Sequence, residues 1–333
     1  MSRRVVLGFA IASVALASPV GAQTAQPRFT SLTVFGDSLV DAGNIRSLGL
    51  GANPAQGYFE GRFTNGYDYT DLLSIKLYGT PTVASRLGGT NFAFGGARAT
   101  ATTLVPDLGE QLALYGAYLA SGKPVDRTGL YVLNFGGNDV FAAQAPGAPA
   151  GFASDSAFLQ SAASIYAGGI QSLSDLGARN FLITGFPVAT GAGLSFSLEA
   201  EGYLTTALGN LSLAGDTNLY RFSYLDFFQR LSADPNAFGL PEPLIQPDPT
   251  RMDGGTCRGA NAFPACTGYF SFDGIHPTAA VQLAAFNEID RQFSLTAAVP
   301  EPATWGMMII GFGAVGGMMR RRGKVTTRMS LAT

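Results

Sequence analysis

Histidine is almost missing from the 333 residues: His276 stands alone, and there are only two cysteines, Cys257 and Cys266. A zinc cluster of Cys and His, or a multi-histidine metal centre, needs more of both than this chain supplies. No metal or organic cofactor is expected, and any chemistry that needs an imidazole must use His276. Charge is also scarce. Asp, Glu, Lys and Arg make up 13% of the residues, where about 25% is usual. With 21 basic side chains against 23 acidic ones, the net charge is −2 and neither sign dominates, which argues against nucleic acid as a partner. The 43 glycines and 18 prolines stay below the share of about a quarter that marks low-complexity chains. Hydrophobic residues, at 47%, supply a packed core, so a globular, loop-rich protein is expected.

The apolar runs at the two ends read as export segments. Arg3 and Arg4 precede the thirteen-residue run Val5 to Ala17, and small residues follow through Ala22. Basic, apolar and cleavable, in that order, describe a signal peptide over residues 1–22, and thirteen residues fall short of the roughly 20 that span a bilayer. At the other end Val299-Pro300-Glu301-Pro302 leads into the uncharged stretch Ala303 to Met319 and then Arg320-Arg321-Arg322. Seventeen residues make a short transmembrane helix of about 25 Å, with the arginines on the cytoplasmic side.

Between the ends, short apolar runs alternate with helical patterns, the signature of βα units around a mostly parallel sheet. Strands are expected at Ser31–Phe35, Thr80–Ala84, Leu130–Phe135, Asn180–Thr184 and Leu219–Leu225. Helices are expected at Tyr67–Tyr78, Asp107–Ala120, Asp155–Leu176, Gly193–Leu213 and Pro277–Phe293, with Pro277 at a first helical position. Two long Pro/Gly-rich connections, Ala142–Ala153 and Ser232–Tyr269, fall where ligand-binding walls gather in open α/β sheets. Cys257 and Cys266 lie inside the second, close enough for a local disulfide in an exported protein.

Four short segments carry polar residues suited to acyl chemistry. Phe35-Gly36-Asp37-Ser38-Leu39 follows the first expected strand, and a serine at a strand-to-helix turn exposes its hydroxyl at the carboxyl edge of the sheet. The same serine could equally be a turn or cap residue. In Asp273-Gly274-Ile275-His276-Pro277 the only histidine stands three positions from an aspartate, the pairing that lets a carboxylate hold an imidazole base. Asn91-Phe92-Ala93-Phe94-Gly95-Gly96-Ala97 offers backbone N–H groups free of a Cβ, and Gly136-Gly137-Asn138-Asp139 offers a side-chain amide. Alone, each of these last two reads equally as a turn.

In that order, these segments resemble the GDSL esterases and lipases of the SGNH hydrolase superfamily. So do Val40-Asp41-Ala42-Gly43-Asn44 and Gly61-Arg62-Phe63-Thr64-Asn65-Gly66. The resemblance runs from about Leu32 to Phe293, within a hydrolase domain placed at residues 29–295. It implies a three-layer α/β/α sandwich with a flavodoxin-like, mostly parallel five-stranded sheet. It further implies Ser38 as nucleophile, His276 as general base and then acid, and Asp273 as its orienting partner. The oxyanion hole would be formed by the N–H groups of Ser38 and Gly95 and the side chain of Asn138, with Gly96 the second choice for the glycine. The activity implied is hydrolysis of a small-molecule, lipid or acylated-saccharide ester through an acyl-serine. An acyltransferase on the same site, or a non-catalytic surface or matrix protein keeping the fold, are the alternatives. Residues 299–322 resemble the PEP-CTERM sorting tails of Gram-negative bacteria. That likeness implies a membrane exosortase as processing partner, transient membrane association and delivery to the cell surface or beyond.

Overall fold

The computed structural model describes residues 28–101, 104–188, 191–258 and 266–297, together with residue 312. The expected signal peptide lies outside these residues, as do the sorting segment and its short transmembrane helix apart from residue 312. Among the described residues no helix is long and apolar enough to cross a membrane.

Four strands, β1 (Leu32–Gly36), β2 (Leu130–Asn134), β3 (Asn180–Thr184) and β4 (Asn218–Phe222), form one parallel sheet in sequential order. Leu32 pairs with Leu130, Leu130 with Asn180 and Asn180 with Asn218, so the strands start level. Every residue of β1 and β2 is buried, as expected of parallel strands covered on both faces. The fifth lane is filled differently from expectation. Thr80–Ala84 is not a strand; instead residues 90–94 run beside β1, with Val34 N–H donating to Thr90 O (3.0 Å), Phe92 N–H to Val34 O (2.7 Å) and Phe94 N–H to Gly36 O (3.0 Å). Thr80–Ala84 holds Pro81, which has no N–H to give a ladder, and lies outside this lane, meeting it through Asn91 N–H to Val83 O. The spatial order, with the 90–94 segment first, is that of a flavodoxin-like sheet.

The helices are α1 (Asn44–Ser47), α2 (Tyr69–Tyr78), α3 (Leu108–Ala120), α4 (Gly137–Ala143), α5 (Asp155–Leu176), α6 (Gly193–Gly209), α7 (Tyr224–Ala233) and α8 (Ala279–Phe293). Alternation along each strand divides the core between the two sheet faces. Phe35, Leu133, Phe181 and Ile183 join residues of α3, α5 and α6 in one cluster. Val34, Val132, Leu182 and Phe222 join those of α2, α7 and α8 in the other. Local chemistry sets the ends. Asp68 and Asp71 form a capping box on α2, Asp107 and Glu110 one on α3, and Ser154 caps α5.

Several boundaries differ from expectation. The strand expected to run to Leu225 stops at Phe222, because Ser223 caps α7 through Asp226 N–H. Helix α8 begins at Ala279 with Thr278 as its cap, so Pro277 stands outside it. Helix α6 ends at Gly209 rather than Leu213, and α4 and α7 had no counterpart in the sequence reading.

Leu133 is fully buried in the central strand. Leu133→Ala is therefore expected to cost about 2–5 kcal/mol in stability, read by chemical denaturation.

Candidate active site

The turn that follows β1 carries Ser38, and the loop entering α8 carries Asp273 and His276. The sheet brings the two loops together: His276 Nε2 lies 2.8 Å from Ser38 Oγ, and His276 Nδ1 lies 2.7 Å from Asp273 Oδ2. Oδ1 of Asp273 accepts the backbone N–H groups of Ile275 (3.0 Å) and His276 (2.8 Å), which shapes the loop around its own carboxylate. Burial would raise this acid, but the hydrogen bond and charge of His276 and the two backbone donors hold it well below the usual carboxylate range. As an ionised acceptor it takes Nδ1–H, which leaves the lone pair on Nε2 to receive the Ser38 hydroxyl.

The residues before this loop hold it in place. Phe63 lies 5.1 Å, ring to ring, from the imidazole. Thr64 O–H donates to Pro277 O (2.8 Å), and Asn65 Oδ1 accepts Ala279 N–H (2.8 Å). Arg62 is buried and grips Asp71 with two nitrogens at 2.8 and 3.0 Å. The Gly61–Gly66 phrase thus supports the histidine loop and contributes no reacting group of its own.

Asp37, beside the serine, is buried, with Oδ1 accepting Leu39 N–H (3.0 Å) and the Asn134 amide (3.2 Å). Burial, only partly offset by Leu39 N–H and the charge of His276, pushes it up to about 7. Asp41 is raised to about 6 by burial against four backbone donors. One of those four changes the expected role of Gly95. Gly95 N–H donates to Asp41 Oδ2 at 2.9 Å, so it is not free to bind an oxyanion. A Cβ at Gly95 would sit 2.4 Å from the Phe63 ring, which is why the position must be glycine. Its neighbour Gly96 has an exposed backbone at φ +88°, and no partner for its N–H occurs among the described residues. The Ser38 N–H is likewise unbonded there. Asn138 donates one Nδ2 hydrogen to Ala97 O (2.9 Å) and keeps the other, while Asp139 fixes the N–H groups of Ala99 and Thr100.

Ser38, Asn138 and His276 line a cavity of about 560 Å³. Its walls include Phe141, Val188, Phe228, Phe270 and Ile275; among the described residues neither Gly95 nor Gly96 lines it, and no lysine or arginine does. The expected wall segments contribute in part: Ser232, Ala233, Gln246 and Pro247 line the cavity, while nothing from Ala142–Ala153 does. Phe228 and Gln229 on α7 have no counterpart among the expected wall residues, because a strand is expected as far as Leu225 and no helix after it. Cys257 and Cys266 are joined as expected, the bridge being buried. No group of acidic, His and Cys side chains among the described residues is arranged to hold a metal ion.

A model of the GDSL-like lipase/acylhydrolase family matches residues 32–289, and the chain belongs to that family. The PEP-CTERM protein-sorting motif matches residues 298–322. Similar proteins include Lipase 1 of Photorhabdus luminescens, 35% identical over 40% of this chain and 19% of that protein. A GDSL esterase/lipase of Arabidopsis thaliana is 38% identical over 23% of this chain and 27% of its own length. The chain thus matches well under two thirds of these relatives. Among solved structures, an acetylxylan esterase from Geobacillus stearothermophilus aligns over 81% of this chain and 96% of its own, at 13% identity and a TM-score of 0.39.

Two measurements check this account. Gly95→Ala forces a methyl into Phe63, and overpacking of this kind is expected to cost about 1–3 kcal/mol by denaturation. Asp37 binds its proton more tightly folded than unfolded, so its stabilising effect is complete below an unfolded pKa of about 3.9 and lost as pH rises through about 7. The stability difference between wild type and Asp37→Asn should therefore change across that window, moving against wild type as pH rises, and be level above it.

Proposed function

We propose that the chain is an exported serine hydrolase that cleaves carboxylic esters through an acyl-serine. The observation that carries this reading is the Ser38–His276–Asp273 chain of contacts, 2.8 and 2.7 Å long, opening into the apolar cavity. In the reaction, Oγ of Ser38 attacks the ester carbonyl as Nε2 of His276 takes its proton, and Asp273 stabilises the imidazolium. The carbonyl oxygen becomes an oxyanion and is met by the N–H of Ser38, the remaining Nδ2 hydrogen of Asn138 and the N–H of Gly96. Collapse expels the alcohol, protonated by His276; water activated by the same nitrogen then releases the acid. Gly96 is preferred to Gly95 as the glycine donor because Gly95 N–H is already given to Asp41, while Gly96 N–H has no partner among the described residues and Ala97 beside it holds Asn138.

The cavity favours neutral, apolar substrates. Among the described residues its walls are largely aliphatic and phenylalanine, with Gln229, Ser232 and Gln246 as the polar groups away from Ser38, and include no cation to receive a charged acyl group and no Tyr or Trp to stack on a sugar. The sorting motif supports export from a Gram-negative cell and processing by an exosortase-type enzyme, giving a mature chain from near Gln23 to near Val299.

Labelling with a fluorophosphonate and a series of p-nitrophenyl esters test the reading. Ser38→Ala should abolish both labelling and turnover; turnover above a few per cent of wild type would remove Ser38 from its role. Each added methylene should raise kcat/KM severalfold up to the chain length that fills the cavity, following about 0.8 kcal/mol per buried CH₂. Asn138→Ala should lower kcat by about 10² to 10³ with little change in KM, as for a lost oxyanion donor. Intact mass of the secreted protein reports whether both ends have been removed.

A further inference from the structure

The carboxylate that orients His276 is itself held from a second direction. Tyr58 O–H donates to Asp273 Oδ2 at 2.8 Å, and this is the oxygen that also takes His276 Nδ1–H. The phenol has a single proton, so once that proton is placed on Asp273 its oxygen can only accept, and Arg258 Nη1 donates to it at 2.8 Å. The guanidinium carbon lies 5.6 Å from the centre of the same ring. Phe272 and Phe63 pack edge-on against that ring, with centroids at 5.0 and 6.0 Å, and leave it little freedom to turn. Burial and the charge of Asp273 push the Tyr58 phenol up to about 12, so it remains a donor at every pH of interest. Arg258 is held in turn. It follows Cys257 of the disulfide, and the N–H groups of Cys257 and Arg258 donate to Ser271 O (3.1 Å) and Phe272 O (2.8 Å), immediately before Asp273.

We propose that Tyr58 is a positioning residue for the reaction and that Arg258 acts through it, the two forming a relay that fixes the plane of Asp273 and so the aim of His276 at Ser38. The inference rests on the hydrolase reading above. The backbone N–H groups of Ile275 and His276 fix Oδ1 from within the loop itself, whereas, among the described residues, Oδ2 meets only the imidazole and Tyr58; the phenol, arriving from a distant segment, fixes the second oxygen and ties the loop to the rest of the fold before the imidazolium forms. Preorganisation of this kind lowers the barrier without tightening substrate binding. An arginine on the phenol oxygen polarises the O–H and strengthens its bond to Asp273.

Tyr58→Phe keeps the ring and its packing and removes only the donor. The expected result is a kcat lower by about ten- to a hundredfold, the range of one hydrogen bond to a charged group, with KM and melting temperature close to wild type. Arg258→Met should lower kcat severalfold in the wild-type background and add nothing in the Tyr58→Phe background, since its effect passes through the hydroxyl. Independent, multiplying losses overturn the relay, as does a kcat loss in Tyr58→Phe that merely follows a loss of folded protein. With one histidine in the chain, the imidazole resonances in an NMR spectrum all come from His276. Tyr58→Phe should shift its Nδ1–H signal whether or not any ester is turned over. An unmoved signal overturns this inference, while a wild type inert to every ester overturns the hydrolase reading instead.

Discussion

Buried aspartates bonded to backbone N–H groups hold the carboxyl edge of this sheet together. Loops that leave parallel strands have no ladder of their own, and unpaired buried amides are costly, so something must collect their donors. Asp41 gathers the N–H groups of Gly43, Asn44, Ile45 and Gly95, tying the turn after β1 to the 90–97 segment. Asn44 and Asn91 brace the same two segments, through Ala93 O and Val40 O. Asp139 ties α4 to Ala99 and Thr100. Ser38 and Gly96 stand on loops, and Asn138 at the start of α4, all braced in this way, and their spacing depends on these carboxylates.

The arrangement has an electrostatic cost. Asp37 and Asp41 are both raised by burial, while Asp273 is held low by an imidazole and two amides. The environments push these acids apart, so Asp273 is the one best kept as an anion beside His276. The others do their work as acceptors for backbone amides and are removed from solvent.

Much of this was legible from residue order. The βα alternation, three strands to within a residue or two, and the helix Asp155–Leu176 follow from periodicity and caps. The meeting of Ser38, Asp273 and His276 follows from motif order and the scarcity of histidine. The failures have physical causes. Thr80–Ala84 has strand-forming residues, but the lane beside β1 goes to the segment whose amides reach Val34 and Gly36. The strand expected from Leu219 to Leu225 ran into α7 because an aromatic-rich helix start and a strand have similar composition, and the Ser223 cap decides between them. Paired glycines look alike in sequence; only the Asp41 contact separates Gly95, a close-packing position, from Gly96. Nothing local marks Tyr58, 215 positions from the aspartate it holds.

Arg28, just before the first strand, donates to the carbonyls of Phe293 and Ser294 at the end of α8, both at 2.9 Å, and to the Tyr220 hydroxyl. The two ends of the folded unit are thereby stitched at the amino edge of the sheet, one strand length away from the edge that carries Ser38. A circular permutant joining residue 28 to residue 294 would need only a short bridge and would leave the loops that carry Ser38 and His276 uncut.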